Sequence, residues 1–397
     1  MEEPIVITGA GIVSAIGLGK AATLTSLLGG RTGVGPVKYL RTAHTEFPVG
    51  EVKLSDDEMK SMLGIDREPT TRAALMGMLA LREALDEADL LYNTECGRRA
   101  LLSGITVGGM DKSEQHYLDY IENDTANEYI LTHDCGATTE MMADRFSGFG
   151  MVTSISTACS SAANAIIMGA ELIKSGRTDI AVAGGTECIT KFHLNGFNSL
   201  MILSREQCRP FDRRRAGLNL GEGAAFLVLE TASSARRRGV RALAALCGYG
   251  NACDAFHQTA SSEDGEGSFL AMRKALASAG LEPADIGYVN AHGTGTPNND
   301  LSESRALRRV FGAAMPPVSS TKGLTGHTTS ASGAVEATIC LLALRHGFLP
   351  ANSGWREPME EGVRPVVTVT PAQLRHVMCN SFGFGGNDSC LILSENV

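Results

Sequence analysis

Short apolar runs rich in Val and Ile alternate with Ala-rich segments of helical period along most of the chain. The runs predict strands over 5–8, 180–183, 224–229, 288–290 and 390–393. The periodic segments predict helices over 72–88, 160–175, 266–279 and 334–346. Strand and helix in alternation point to crossover units on a buried sheet, the α/β class. Segments 160–175 and 334–346 are apolar nearly all round, so those helices must be sandwiched between layers.

The two halves echo each other. Residues 152–176 run strand, small-residue turn and buried helix ending at Gly176, and 317–347 repeat this with an end at Gly347. A glycine-rich turn then feeds a strand in each half, Gly221-Glu222-Gly223 and Gly383-Phe384-Gly385-Gly386. A duplicated unit with its boundary near 235–245 explains the echo, giving halves 1–238 and 239–397 in a layered, pseudo-twofold architecture. A length of 397 residues agrees, since it suggests two or three cores.

Charge and composition narrow the function classes. The chain has 35 Lys plus Arg against 44 Asp plus Glu, a formal charge of -9, which argues against nucleic acid as main partner. With 43% apolar and 20% charged residues it is globular, and disorder as the dominant state is excluded. No apolar run reaches the roughly 18 uncharged residues of a membrane helix, so no membrane insertion is expected. The first residues lack a basic segment followed by an apolar one, and the ten Cys form no Cys-x-x-Cys pair. The expectation is a cytoplasmic protein in a reducing compartment.

Four places could carry chemistry. Cys159 stands in Ser156-Thr157-Ala158-Cys159-Ser160-Ser161-Ala162, between an apolar strand and the start of a buried helix. A helix N-terminus would lower its pKa and make it a nucleophile; otherwise it is a small buried hydrophobe. His292 follows a short strand in Asn290-Ala291-His292-Gly293-Thr294-Gly295-Thr296-Pro297, and His327 ends Lys322-Gly323-Leu324-Thr325-Gly326-His327. Each could serve catalysis or only local hydrogen bonding, and neither has the spacing of a zinc-binding pair. Glu336 interrupts an apolar run, so it either meets a cation, with Lys322 the nearest candidate, or lies on an exposed strip. Gly9-Ala10-Gly11 after the first strand lacks the third glycine of a dinucleotide fingerprint and is read as a tight turn.

Together these segments resemble the elongating class of beta-ketoacyl-[acyl-carrier-protein] synthases, in the thiolase-like superfamily. The resemblance is carried, in family order, by 157–161, 290–296, 322–327 and Asn380-Ser381-Phe382-Gly383-Phe384-Gly385-Gly386, with support from 5–17, 209–212 and 221–224. It implies a thiolase-like layered α-β-α-β-α fold made of two pseudo-symmetric halves. It also implies a ping-pong Claisen condensation in which Cys159 takes an acyl group as thioester and malonyl carrier protein then loses CO2.

By the same resemblance, His292 and His327 stabilise the enolate, while Lys322 supports them and pairs with Glu336. The backbone N–H groups of Cys159 and Phe384 form the oxyanion hole. Phe384 is also the gate, Thr294 and Thr296 contact the pantetheine arm, and Phe382 belongs to the substrate pocket. No metal or other cofactor is implied. The partners implied are acyl- and malonyl-loaded acyl carrier protein and a second copy in a homodimer, with Arg205, Arg209, Arg213, Arg214 and Arg215 at the docking entrance.

Some relatives are set aside by the reactive set. Starters that use acyl-CoA carry Cys, His and Asn, and chain-length partner subunits lack the Cys, whereas this chain has Cys159 and both histidines. A degradative thiolase needs a second reactive Cys near the C-terminus, and neither Cys379 nor Cys390 lies in such a motif. The segment 116–142 matches poorly, and Gly386-Asn387-Asp388 stands where Thr-Asn is usual. A ketosynthase of a polyene or polyketide pathway, or a non-catalytic partner subunit, remain alternatives to fatty acid elongation.

Overall fold

The protein is described by a computed structural model over residues 3–66, 68–93, 97–123 and 127–395. Among the described residues, ten strands carry the architecture. The first five are β1 (Ile5–Ser14), β2 (Arg99–Gly104), β3 (Met151–Ile155), β4 (Ile180–Glu187) and β5 (Gly223–Thr231). The second five are β6 (Ala244–Cys253), β7 (Tyr288–Asn290), β8 (Val318–Ser319), β9 (His376–Gly383) and β10 (Asn387–Ser394).

They form one path, β3-β2-β4-β5-β1-β6-β10-β9-β7-β8, with the short strand Gly17–Leu18 turning back on β1. Outward from the middle the halves read β1-β5-β4-β2-β3 and β6-β10-β9-β7-β8, the same order shifted by five. Parallel and antiparallel relations repeat as well. The inner two pairings of each half are antiparallel and the outer two parallel. The halves join where Ile5–Ile7 of β1 pair antiparallel with β6.

Alternation along the strands sorts side chains onto two faces. Leu227, Leu229, Leu391 and Leu393 face a middle layer made of α2 (Ser161–Lys174) and α4 (Ser332–His346). Phe226 and Val228 face the outer helix α1 (Arg72–Glu87), and Cys390 and Ile392 face the outer helix α3 (Glu266–Ala279). The result is five layers, α-β-α-β-α. It explains why α2 and α4 lack a polar stripe, for each has sheet on both sides.

Gly9-Ala10-Gly11 is a correction. It is not a turn but the centre of the ten-residue strand β1. A Cβ on Gly9 would lie 2.2 Å from the Ala84 carbonyl oxygen, and one on Gly11 1.9 Å from that of Ala80. The glycines let the α1 backbone press directly against the strand.

Two loops meet in the middle of this frame. The turn between β3 and α2 carries Cys159, and the hairpin between β9 and β10 carries Gly383–Gly386. The described residues of segment 116–142 lie outside the sheet, for the most part in the helices Met110–Asn123, Asn127–Ile130 and Cys135–Phe146. Among the described residues no helix is long and apolar enough to cross a membrane.

Candidate active site

Cys159 owes its position to a strained turn. Ala158, just before it, has φ 52°, the left-handed region that costs a non-glycine residue about 1–3 kcal/mol. Hydroxyls hold the turn: Ser161 Oγ donates to Ala158 O at 2.6 Å and accepts from Thr157 N at 2.8 Å, while Ser160 Oγ lies within hydrogen-bond reach of Thr157 O, at 2.7 Å. Cys159 then lines a cavity of about 300 Å³.

That cavity gathers most of the residues singled out in the sequence. Cys159, His292, His327, Thr294, Thr296, Phe382 and Phe384 all line it. His327 Nε2 lies 3.1 Å from Cys159 Sγ, and the His292 and His327 rings stand edge to face with centroids 5.2 Å apart. The Phe384 N–H is directed at the Cys159 sulfur, and its ring stacks on Phe197, centroids 5.9 Å apart. Thr294 and Thr296 share a 2.9 Å hydroxyl contact at the wall.

Lys322 and Glu336 stand behind the histidines, both fully buried. Lys322 Nζ meets Glu336 Oε1 in an ion pair and also donates to His292 O at 2.5 Å and towards His292 Nδ1 at 3.4 Å. Three acceptors therefore match the three N–H donors of one ammonium group. Because the lysine can only donate, His292 Nδ1 accepts and the ring proton sits on Nε2.

Burial dominates the electrostatics. It pushes the Cys159 thiol up to about 12, with Lys322 and the Phe384 N–H pulling the other way. This runs against the expectation that the thiol is lowered, because burial of the sulfur outweighs Lys322 and the Phe384 N–H. Burial likewise holds both histidines well below the usual imidazole range, and Lys322 adds to the effect. A high thiol and low imidazoles favour the neutral pair, S–H donating to His327 Nε2, over thiolate and imidazolium. Burial also raises Glu336 to about 7 against the pull of Lys322.

The Cys159, His292 and His327 donor atoms all lie within 4.8 Å of one another, a spread that could hold a metal ion. Sequence spacing spoke against a zinc pair on one helix, and the fold brings these donors together from three separate loops.

The arginines divide. Arg205, Arg209 and Arg214 line a groove of about 650 Å³ together with Arg356, while exposed Arg213 stands outside it. Arg209 is paired with Glu206 and Arg214 with Glu357. Arg215 is a correction, for it turns inward and donates to Thr296 O, Asp212 O and Pro297 O. It props the wall of the cavity.

Sequence reasoning missed Glu303, a buried carboxylate that accepts from His292 N and Gly293 N, each at 2.8 Å. It also missed Phe197, Ile202 and Leu218 on the cavity wall. Their signals were weak, since Glu303 sits in an otherwise charged helical segment and Phe197 in a run of mixed polarity.

The family model described as "Beta-ketoacyl synthase, N-terminal domain" matches residues 2–235, and "Beta-ketoacyl synthase, C-terminal domain" matches 243–355. The chain belongs to the beta-ketoacyl synthase family. It is 33% identical to Nodulation protein E of Rhizobium meliloti (strain 1021) over 408 residues, covering all of both chains. It is 34% identical over 418 residues to 3-oxoacyl-[acyl-carrier-protein] synthase 2 of Vibrio cholerae, with 99% of each covered. Among solved structures, the ishigamide ketosynthase/chain length factor aligns over the full length of both chains with TM-score 0.92 and 31% identity. The five-layered fold is therefore the thiolase-like fold of ketosynthases. As a family member the chain is a condensing enzyme of the acyltransferase type.

Proposed function

We propose that this chain is an elongating beta-ketoacyl-[acyl-carrier-protein] synthase acting in fatty acid elongation, with Cys159 as nucleophile and His292 and His327 as the enolate-stabilising pair. The 3.1 Å contact between His327 Nε2 and Cys159 Sγ, with His292 against the same cavity, carries this reading. As an acyl thioester arrives, the thiol proton passes to His327 and the sulfur attacks the carbonyl carbon. The oxygen gathers charge against the N–H groups of Cys159 and Phe384. Collapse expels the carrier's pantetheine thiolate, which takes that proton.

Malonyl thioester then enters along Thr294 and Thr296. Its bond to CO2 breaks and the electron pair becomes an enolate, with the oxygen facing the Nε2–H of His292. Once Cys159 is acylated, His327 Nε2 no longer meets an S–H. Ser332 Oγ, 3.3 Å from its Nδ1, can donate there once the ring exchanges its proton to Nε2 through solvent, which holds that tautomer. The enolate carbon attacks the Cys159 thioester, a carbon–carbon bond forms, the bond to sulfur breaks, and the Cys159 thiolate takes up one proton from solvent. Loss of CO2 drives the sequence, so the reaction as written calls for no metal or redox cofactor.

The division at 238/239 then has a functional sense, with the nucleophile in the first half and both histidines in the second. The Arg205, Arg209 and Arg214 groove supports docking of acidic carrier protein, with Arg213 at its margin. A homodimer is supported by β3, an edge strand that exposes Val152, and by exposed Tyr117, Leu118 and Ile121. A carrier-protein substrate supports a location in the cytoplasm.

A second reading, a polyene or polyketide ketosynthase paired with a different subunit, is favoured by the full-length likeness to the ishigamide ketosynthase/chain length factor. A non-catalytic partner subunit is opposed by the assembled Cys159, His292 and His327. The deciding experiment supplies acyl and malonyl carrier proteins to the enzyme and to Cys159→Ala. The variant should lose condensation and acyl labelling yet keep malonyl decarboxylation, and condensation by the variant would overturn the assignment.

A further inference from the structure

Both oxyanion donors sit on loops, Cys159 before α2 and Phe384 in the β9–β10 hairpin, and these loops are more than 220 residues apart in sequence. Something must fix the distance between them, because donors help only when preorganised around the developing charge. Asn387, three residues after Phe384, supplies the tie. Its Oδ1 accepts from Asn164 Nδ2 at 2.8 Å and from Asn251 Nδ2 at 2.9 Å, and lies 2.8 Å from Ser160 Oγ, whose one proton is shared between this oxygen and Thr157 O. Ser160 is the residue next to Cys159, and Asn164 lies one turn into α2.

The contacts continue as a network. Asn164 Nδ2 also donates to Thr157 Oγ1 at 2.9 Å, inside the strained turn. Asn164 Oδ1 accepts from Ser389 Oγ at 2.7 Å and from Asn251 Nδ2 at 3.0 Å. Three asparagines from α2, β6 and β10 thus lock the nucleophile turn to the gate hairpin. The loops also touch directly, for a Cβ on Gly383 would lie 2.9 Å from Thr157 O and 3.2 Å from Ser160 Oγ.

We propose that Asn387, acting through Ser160 and Asn164, is a positioning residue that sets the separation of the Cys159 and Phe384 N–H groups. It touches neither substrate nor sulfur. The inference rests on the oxyanion-hole reading given above. Its role is distinct from holding the Cys159 turn alone, since the turn keeps its own Ser161 bonds.

The test compares two reactions of the same sulfur. Acyl transfer from an acyl thioester builds an oxyanion, whereas alkylation by iodoacetamide displaces iodide without one. Asn387→Leu should lower kcat/KM for acyl transfer by about tenfold to a hundredfold. Alkylation of Cys159 should stay within about twofold. Asn164→Ala should do the same, and the double variant should lose little more than either single one, because both cut one network.

Equal loss in both reactions would show that Asn387 merely supports the turn, and unchanged acyl transfer would show that it does nothing here. If Asn387→Leu fails to fold, the exposed Asn251→Ala must show the same selective loss at smaller size, and its absence overturns the proposal. Cys159→Ala separates the levels: acyl transfer surviving in that variant would remove the underlying reading, whatever Asn387 does.

Discussion

Lys322 holds His292 by two points at once, its carbonyl oxygen at 2.5 Å and its ring Nδ1 at 3.4 Å. The lysine therefore fixes a tautomer as well as a position, leaving Nε2–H to face the cavity. The same ammonium is the partner of Glu336, so the two roles share one side chain.

Removing Lys322 should thus separate into a stability effect and a catalytic one. Lys322→Met leaves a buried carboxylate alone, at about 3–5 kcal/mol, and Lys322→Met with Glu336→Leu should cost less. Malonyl decarboxylation should stay impaired in both, because neither restores the donor to Nδ1. Chemical denaturation and CO2 release measure the two effects. Additive stability losses in the double variant would show that the pair does not interact.

The buried thiol makes a second expectation. With Cys159 pushed up to about 12, thiolate is scarce at neutral pH and its fraction grows about tenfold per pH unit. Alkylation of the resting enzyme by iodoacetamide should rise without a plateau between pH 6.5 and 9.5. A plateau below pH 8 would mean a stable thiolate–imidazolium pair, contrary to the directions of all three shifts.

Asp388 gives a third, on stability. Burial pushes its carboxyl from 3.8 up to about 8, and its Oδ2 takes a 3.2 Å bond from Ser268 Oγ. Neighbouring Asp254 and Glu303 raise it further. The folded state holds this proton more tightly than the unfolded chain. The group's contribution to stability is therefore full below about pH 4 and lost as pH rises through about 8. Asp388→Asn cannot titrate, so the gap in melting temperature between variant and parent should move in the variant's favour from pH 5 to pH 9. A gap that does not change with pH would remove Asp388 as a titrating group.

Legibility in the sequence followed how local each cause is. Glu336 stood out because a charge interrupting an apolar helix needs a partner, and the partner is Lys322. Helix 266–279 was bounded correctly because the αL cap at Gly280 is a local signal. The Gly9 and Gly11 error had the opposite origin. Their reason is the α1 backbone some seventy residues away, and glycine in a strand looks like glycine in a turn until that helix is placed. Asn387 and Glu303 were silent for the same reason, since each acts on backbone or side chains distant in sequence. The raised thiol has a similar origin, for the strand–turn–helix pattern points to Cys159 but hides the depth of its burial.

The docking groove carries the last expectation. With a formal charge of -9, the chain repels an acidic carrier protein at long range, so a local positive patch must act within about 8–10 Å. Arg213 and Arg214 are adjacent in sequence, yet Arg214 lines the groove with Arg205, Arg209 and Arg356, and Arg213 does not. Arg209 and Arg214 are already engaged by Glu206 and Glu357, which leaves Arg205 and Arg356 as the stronger attractors. Reversing Arg205 and Arg356 to Glu should raise KM for acyl carrier protein about tenfold or more and flatten its dependence on salt. The change at Arg213 alone should be several times smaller. Turnover of a small acyl-pantetheine should stay within about twofold, because that substrate reaches Cys159 without the groove. Equal losses on both substrates would make these arginines supports of the fold, and the docking surface would lie on another face.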